Sequence, residues 1–360
     1  MARHLATVRK IGSLEPIEGR DRIELAHVDG WSVIVKKGEY EVGDLTVYCE
    51  PDTVLPERPE FEFLRDKKFK IKTMKMAGVI SQGICFPMSI LPYGVYKVRD
   101  DVTDLIGAKQ NVDTMDIEKE ISKKSDGKTS WLKKKYYNSR FYKKKLVEQQ
   151  EMKKFPSFIR KTDEERIQNI PEILIWKDPM FVTEKVDGQS GTFFLKRNHG
   201  IKSLFKPYEY GVCSRNIRIP EPDKSSYWKV SKKYNLERVL ASCLGDHEWV
   251  ALQGECVGPG IQGNKYGLDS YDVYFFNFIT PDGRWSGEST YCLCQAHQLN
   301  YVPIVDVEYI MPDTVEDVLA DAEGESELAE VEREGVVIRS QDGGISFKAV
   351  SRKFLLEHGE

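Results

Sequence analysis

Over the first 110 residues the apolar positions come in short runs, each cut off by turn residues instead of continuing at helical spacing. "HLATVRKI", "RIELAHV", "WSVIVKK", "LTVYCEP" and "VISQGICFP" read as strands, with "VDGW" and "PYG" as turns. No segment here carries a long helical period. Several short strands at this spacing predict a small β-barrel, and an OB-like barrel is the expected version.

A different pattern begins after residue 155. "FVTEK", "GTFFLK", "WVALQGE", "DVYFFNFI", "GVVIRS" and "ISFKAV" are rich in aromatic and β-branched residues and predict buried strands. Helices are expected from Trp228 to Leu244 and, as a solvated pair, over 313–333. Strands and helices alternate without regular βαβ units, which predicts an α+β fold with largely antiparallel sheets in this half. Thr162 and Glu165 have the S/T-x-x-E spacing of a capping box, so a short helix is expected to start at Asp163 and end before Pro171.

A chain of 360 residues is too long for one comfortable core. The division expected is an OB-like domain over 1–110, a linker or extension over 111–155 and a second domain over 156–360. Charge reinforces it. The window 123–154 holds eleven lysines and one arginine against three acids, about +9, whereas the whole chain is −4. Trp131, Tyr136, Tyr137, Phe141 and Tyr142 interleave these charges. Phosphate contacts plus stacking platforms are what a nucleic-acid surface needs. A solvated helical linker with aromatics packed on a neighbouring domain fits the same residues. Asp313 to Glu334 carries ten acids and one arginine, so an RNA path should avoid it.

Bulk composition, 40% hydrophobic and 31% charged, is that of an ordinary soluble protein. No stretch approaches the roughly 18 consecutive apolar residues of a membrane span, and the first residues lack the apolar core of a signal peptide. Seven cysteines without a C-x-x-C pair suit a reducing compartment, cytoplasmic or nuclear. Cys292, Cys294 and His297 have no second ligand pair nearby, and C-x-C-x-x-H fits no common zinc site; buried thiols are the preferred reading.

Four pieces of the second half carry candidate chemistry. In Lys185-Val186-Asp187-Gly188 the Asp-Gly pair is a hairpin signal that puts a lysine at a strand end. "LQGECVGPGIQG" ends a strand at Glu255 and continues into a glycine-rich loop; without a G-K-S/T ending or a following helix it is no P-loop. "DVYFFNF" is an aromatic strand. "EGVVIRSQDGGISFKAVS" is a hairpin with Glu334 at one end and Lys348 on the return. A three-residue turn near Asp342-Gly343 would put those two on one face, and a two- or four-residue turn would not.

In this order, over about 165 residues, these pieces resemble the motifs of the nucleotidyltransferase superfamily of ATP-dependent ligases and mRNA capping enzymes. An OB-like half ahead of "FIRKTDEERIQN" and "TEKVDG" resembles the RNA ligases of the Deinococcus and Naegleria type, because other branches place an OB domain after the last motif. The resemblance implies an α+β protein, an N-terminal OB-like β-barrel followed by a nucleotidyltransferase domain of antiparallel sheets with flanking helices. It implies joining of RNA 3′-OH and 5′-phosphate ends, in a nicked duplex, by a monomer using ATP with Mg²⁺ or Mn²⁺.

By the same resemblance Lys185 is the nucleophile that becomes AMP-modified. Asp187, Glu255 and Glu334 stand where the metal and ribose are held, Lys348 at the α-phosphate and Phe276 on the adenine. Glu184 matches a backbone contact to the adenine edge. Arg215 matches a phosphate or ribose contact, with a plain salt bridge as its alternative. No role carries over to Ser190. A free lysine needs about 4–5 kcal/mol to lose its proton at pH 7, which neighbouring positive charge or desolvation must offset. A capping guanylyltransferase using GTP on the same lysine, and a non-catalytic RNA-binding protein, remain alternatives.

Overall fold

The computed structural model describes residues 4–76, 78–110, 154–161, 163–221 and 224–358. The lysine-rich window, except Lys154, and Thr162 of the expected capping box lie outside them.

The N-terminal strands are β1 (Ala6–Lys10), β2 (Ser13–Pro16), β3 (Ile23–Val28), β4 (Trp31–Lys36), β5 (Leu45–Cys49), β6 (Thr53–Val54), β7 (Met74–Met76), β8 (Val79–Ser81), β9 (Ile84–Pro87) and β10 (Lys109–Gln110). They form antiparallel sheets ordered β1-β5-β9 and β2-β3-β4, with the pairs β7-β8 and β10-β6. Alternation explains the faces: in Trp31–Lys36 every second residue is buried. Val8, Val47, Phe61, Phe86 and Ile106 fill one core, and Val28, Trp31, Val33 and Tyr48 a second.

The C-terminal half builds two larger sheets. One is ordered β11 (Glu165–Arg166), β21 (Ser346–Val350), β20 (Gly335–Ser340), β12 (Met180–Glu184), β19 (Ile304–Tyr309). The other is ordered β15 (Arg218–Ile219), β14 (Tyr208–Ser214), β13 (Gln189–Arg197), β16 (Trp249–Val257), β17 (Asp272–Thr280), β18 (Gly283–Arg284). Among the described strands, only β11 and β21 pair in parallel. Phe193, Leu252, Phe275 and Phe278 fill the core of the six-stranded sheet, with helices Ser226–Lys233 and Leu236–Cys243 packed on it. The fold class is therefore α+β, as expected.

Three local expectations change. The stretch expected as a helix from Asp163 instead forms β11 and a 3₁₀ turn, Ile167–Asn169. Tertiary pairing of Glu165 and Arg166 with Phe347 and Lys348 overrides the local capping signal. The expected helix over Trp228–Leu244 is two helices, broken at Asn235 with φ 49°. Over 313–333 there is one helix, Val315–Asp321, not a pair. The Arg333 guanidinium donates to the carbonyls of Asp321, Ala322 and Glu323, which ends that helix and folds the following acidic residues into a loop.

The two halves meet along that 3₁₀ turn. Asn169 Nδ2 lies 2.5 Å from both Glu50 and Glu165 carboxylates, and the Arg166 guanidinium stacks 5.1 Å above the Trp31 ring. The β3–β4 turn seats there through Gly30 (φ 80°), where a Cβ would collide with Val315 and press on Gln168.

Candidate active site

The lysine of the K-V-D-G piece does not sit in a hairpin. Its preceding strand β12 pairs with β19 and β20, whereas the following strand β13 pairs with β14 and β16 in the other sheet. Lys185 to Gly188 is thus a crossover, and it spans the mouth between the sheets. Gly188 is required for close approach: a Cβ would lie 3.0 Å from Glu255 Cγ and inside contact distance of the Cys256 carbonyl.

Between the sheets lies a cavity of about 610 Å³. Glu184, Lys185, Asp187, Arg215, Glu255, Phe276, Glu334 and Lys348 all line it. Lys185 Nζ donates to the Glu334 carboxylate. Burial favours the neutral amine, but Glu334 first, then Glu255 and Asp187, outweigh it and hold the Lys185 pKa above that of an ordinary lysine. Burial pushes the Glu255 carboxyl up to about 8, with Lys185 opposing and Glu334 adding to the shift. The amine is therefore charged in the nucleotide-free protein, and the positive field expected around it is instead a negative one.

Glu334 reaches this position against the strand register. β20 and β21 pair Val337 with Lys348 and Arg339 with Ser346, leaving the four-residue turn 341–344. On that register position 334 belongs to the face opposite Lys348. Gly335, the first residue of β20, stands at φ 147° and ends the strand's alternation there, and Glu334 turns into the cavity.

Asp187 is nearly buried and bound by the loop after Glu255. Its carboxylate accepts from Lys265 Nζ and, at 3.2 Å, from Gln262 Nε2; its backbone N–H donates to Tyr266 Oη at 2.8 Å. The loop holds Gln262 (φ 43°) and Asn264 (φ 52°) in left-handed backbone, and Asn264 closes it on Leu268. Glu184 points its carboxylate away from the cavity, accepting from Ser326 Oγ at 2.6 Å and the Glu327 N–H at 3.1 Å. Burial raises its pKa, with those two bonds opposing. Arg215 pairs with Asp163 at 2.5 Å, at the cavity edge. Phe276 is half-buried and faces the cavity while Phe275 turns into the core, as strand alternation requires.

Sequence reasoning did not single out Arg339, Thr183, Gln262 or Lys265. Arg339 is 2% exposed, lines the cavity 6.0 Å from the Phe276 ring centre and donates to Thr183 Oγ1 at 3.0 Å. The register of β20 was the missing signal, because Arg339 follows Val337 at strand period. Asp52 brings the N-terminal half to the cavity rim.

A hard divalent cation suits this donor set. Burial leaves Glu255 with a raised pKa, so the cavity holds acid that a cation would relieve, and all the donors are carboxylate oxygens. Among the described residues no group of three His, Cys, Asp or Glu side chains is already arranged around a common point. Cys292 is exposed and Cys294 buried, on the helix Gly287–Ala296. Among the described residues no helix is long and apolar enough to cross a membrane.

Comparison with known proteins bears on both halves. Residues 5–88 match a model of an OB-fold domain and residues 178–350 a model of RNA ligase. No curated protein matches by sequence. The structure is similar to that of Naegleria gruberi RNA ligase with PPi, at 31% identity, 99% coverage of each chain and a TM-score of 0.75. A substituted form of that enzyme with AMP and Mn gives the same values. Another with ATP and Mn gives 31% identity, 99% coverage of this chain, 98% of that chain and a TM-score of 0.74.

Proposed function

The chain belongs to the RNA ligase family, and from that premise we propose that Lys185 is the amine on which its ligation chemistry turns. The protein is an ATP-dependent RNA ligase that works with a divalent metal. The observation that carries the assignment of Lys185 is its place: the one lysine on the crossover between the sheets, bonded to Glu334 and facing Lys348 across the cavity.

The chemistry takes three steps. Lys185 Nζ attacks the α-phosphorus of ATP; a P–N bond forms, the bond to pyrophosphate breaks, and the amine loses its proton. The RNA 5′-phosphate then takes the AMP from the lysine. Finally the RNA 3′-hydroxyl attacks that phosphate, forms the phosphodiester and releases AMP.

In the resting site Glu334, bonded to the amine, is the main charge that holds the proton on Lys185. Deprotonation therefore follows charge neutralisation of that carboxylate. Glu255, Glu334 and Asp187 are the residues that would hold a divalent metal, which would supply that neutralising charge and stabilise the developing phosphate charge. Lys348 serves the α-phosphate oxygens from β21. Phe276 stacks on the adenine, and Arg339 beside it offers guanidinium donors to the base end of the cavity. The backbone at Glu184 meets the adenine edge while its carboxylate anchors the acidic loop. Arg215, exchanging Asp163 for nucleotide, contacts phosphate or ribose.

The substrate reading is a nicked RNA duplex with 3′-OH and 5′-phosphate ends, sealed by a monomer in the cytoplasm or nucleus. The domain division 1–110, 111–155 and 156–360 assigns nick binding to the first two parts and nucleotide transfer to the third.

The test is incubation of the pure protein with Mn²⁺ or Mg²⁺ and, separately, α-labelled ATP or GTP, followed by denaturing electrophoresis and peptide mapping. Label from ATP on the peptide carrying Lys185 is expected. Label from GTP alone would make the protein a guanylyltransferase, and no label from either would leave a binding protein.

A further inference from the structure

The glycine-rich loop after Glu255 does more than follow a strand. It delivers Gln262, Lys265 and Tyr266 to one residue, Asp187, and binds both carboxylate oxygens as well as the backbone N–H. The loop adopts left-handed backbone at two non-glycine positions, Gln262 and Asn264, to do so. Strain of this kind persists where surrounding contacts demand it. The Lys265–Asp187 pair is enclosed, at 16% and 4% side-chain exposure.

Of the three cavity carboxylates read as holding metal, Asp187, Glu255 and Glu334, two are already taken. Glu334 is paired with Lys185, and Asp187 with Lys265. These two pairings differ in kind. Lys185 gives up its charge during the reaction, so Glu334 is released by the chemistry. Lys265 does not line the cavity and has no part in the transfer, so its charge stays. In the same position its ammonium lies 4.1 Å over the ring of Phe354, on the helix Arg352–His358, so two partners hold it at once.

We propose that Lys265 is a positioning residue that occupies Asp187 as a resident counter-cation, keeps divalent metal from binding there before ATP, and gives up Asp187 while keeping its place over the Phe354 ring when the ATP–metal pair arrives. The inference rests on the reading of Asp187 as a residue of the metal site. Its consequence is an order of binding: metal enters with the nucleotide and not ahead of it.

The experiment measures Mn²⁺ binding to the full chain without nucleotide, by the electron paramagnetic resonance signal of free Mn²⁺. Lys265→Gln and Lys265→Met remove the charge, and Lys265→Arg keeps it. Far-UV circular dichroism checks that each is folded. Both neutral variants are expected to bind Mn²⁺ about tenfold more tightly than the wild type, the size of effect that outer partners of metal ligands exert. Lys265→Arg is expected to match the wild type. Unchanged or weaker Mn²⁺ binding in a folded neutral variant, or failure of both to fold, would make Lys265 a structural anchor of the loop and overturn the proposal. Failure of the parent reading shows separately, as wild-type protein that takes no label from ATP.

Discussion

Glu334 accepts a hydrogen bond from Lys185, 149 positions earlier in the chain, from a site that strand register alone assigns to the other face of its hairpin. Gly335 makes the difference. At φ 147° its backbone conformation is open to glycine and strained for other residues, and a Cβ there would collide with the Ala349 carbonyl.

Gly335→Ala should therefore cost stability and misdirect Glu334 together. Strain and collision of this kind cost about 2–4 kcal/mol. Adenylylation of Lys185 should fall more than tenfold in variant protein that is still folded. Normal labelling in a destabilised but folded variant would show that Glu334 finds the cavity by another route.

Lys185→Ala should abolish covalent nucleotide transfer and leave the fold intact. The crossover is held by the backbone bond from Lys185 N–H to the Gly335 carbonyl, which survives the substitution. Labelling with α-labelled ATP and a far-UV circular dichroism spectrum check both halves. Persistent label on the variant would sink the assignment of the nucleophile.

Burial of Glu255 predicts a pH dependence with a definite sign. Its carboxyl pKa is raised to about 8 in the fold, against the ordinary 4.5. Between those values the folded protein holds a proton that the unfolded chain has released. This contribution to stability is full below pH 4.5 and is lost as pH rises through 8. In metal-free protein Glu255→Gln should thus gain on the wild type from pH 5 to pH 8. Because Glu255 opens onto a water-accessible cavity, the gain is on the order of 1–2 kcal/mol. Urea unfolding midpoints across that range measure it; a flat difference would show that Glu255 is ionised throughout.

Removing the basic window 123–154 should weaken RNA binding, and its salt dependence, more than it weakens lysine adenylylation. The positive charge there exceeds that of any other stretch of the chain, and phosphate contacts set the salt slope. Filter binding at two salt concentrations, beside ATP labelling, separates the two effects. Equal loss of both would assign the segment to the fold.

Much of this protein was legible in its residue pattern. The aromatic and β-branched runs became β12, β13, β16, β17, β20 and β21 because such runs bury well only as strands inside layered sheets. The candidate site residues that the motifs singled out all came to one cavity. Local signals misled where distant contacts were stronger. The capping-box spacing at Thr162 and Glu165 lost to strand pairing with β21, and the second half of the acidic stretch lost its helix to Arg333 and Glu184.

By itself the sequence determined which residues could do chemistry and in which strands they stand, since composition and period are local properties. Tertiary structure decided how those strands are partnered. Lys185 lies on a crossover and not a hairpin because β12 and β13 pair into different sheets. Glu334 faces it because the backbone at Gly335 ends the strand's alternation. Asp187 meets Lys265 because a loop of left-handed residues folds back 78 positions. Each outcome depends on long-range pairing energy that no short window of sequence contains.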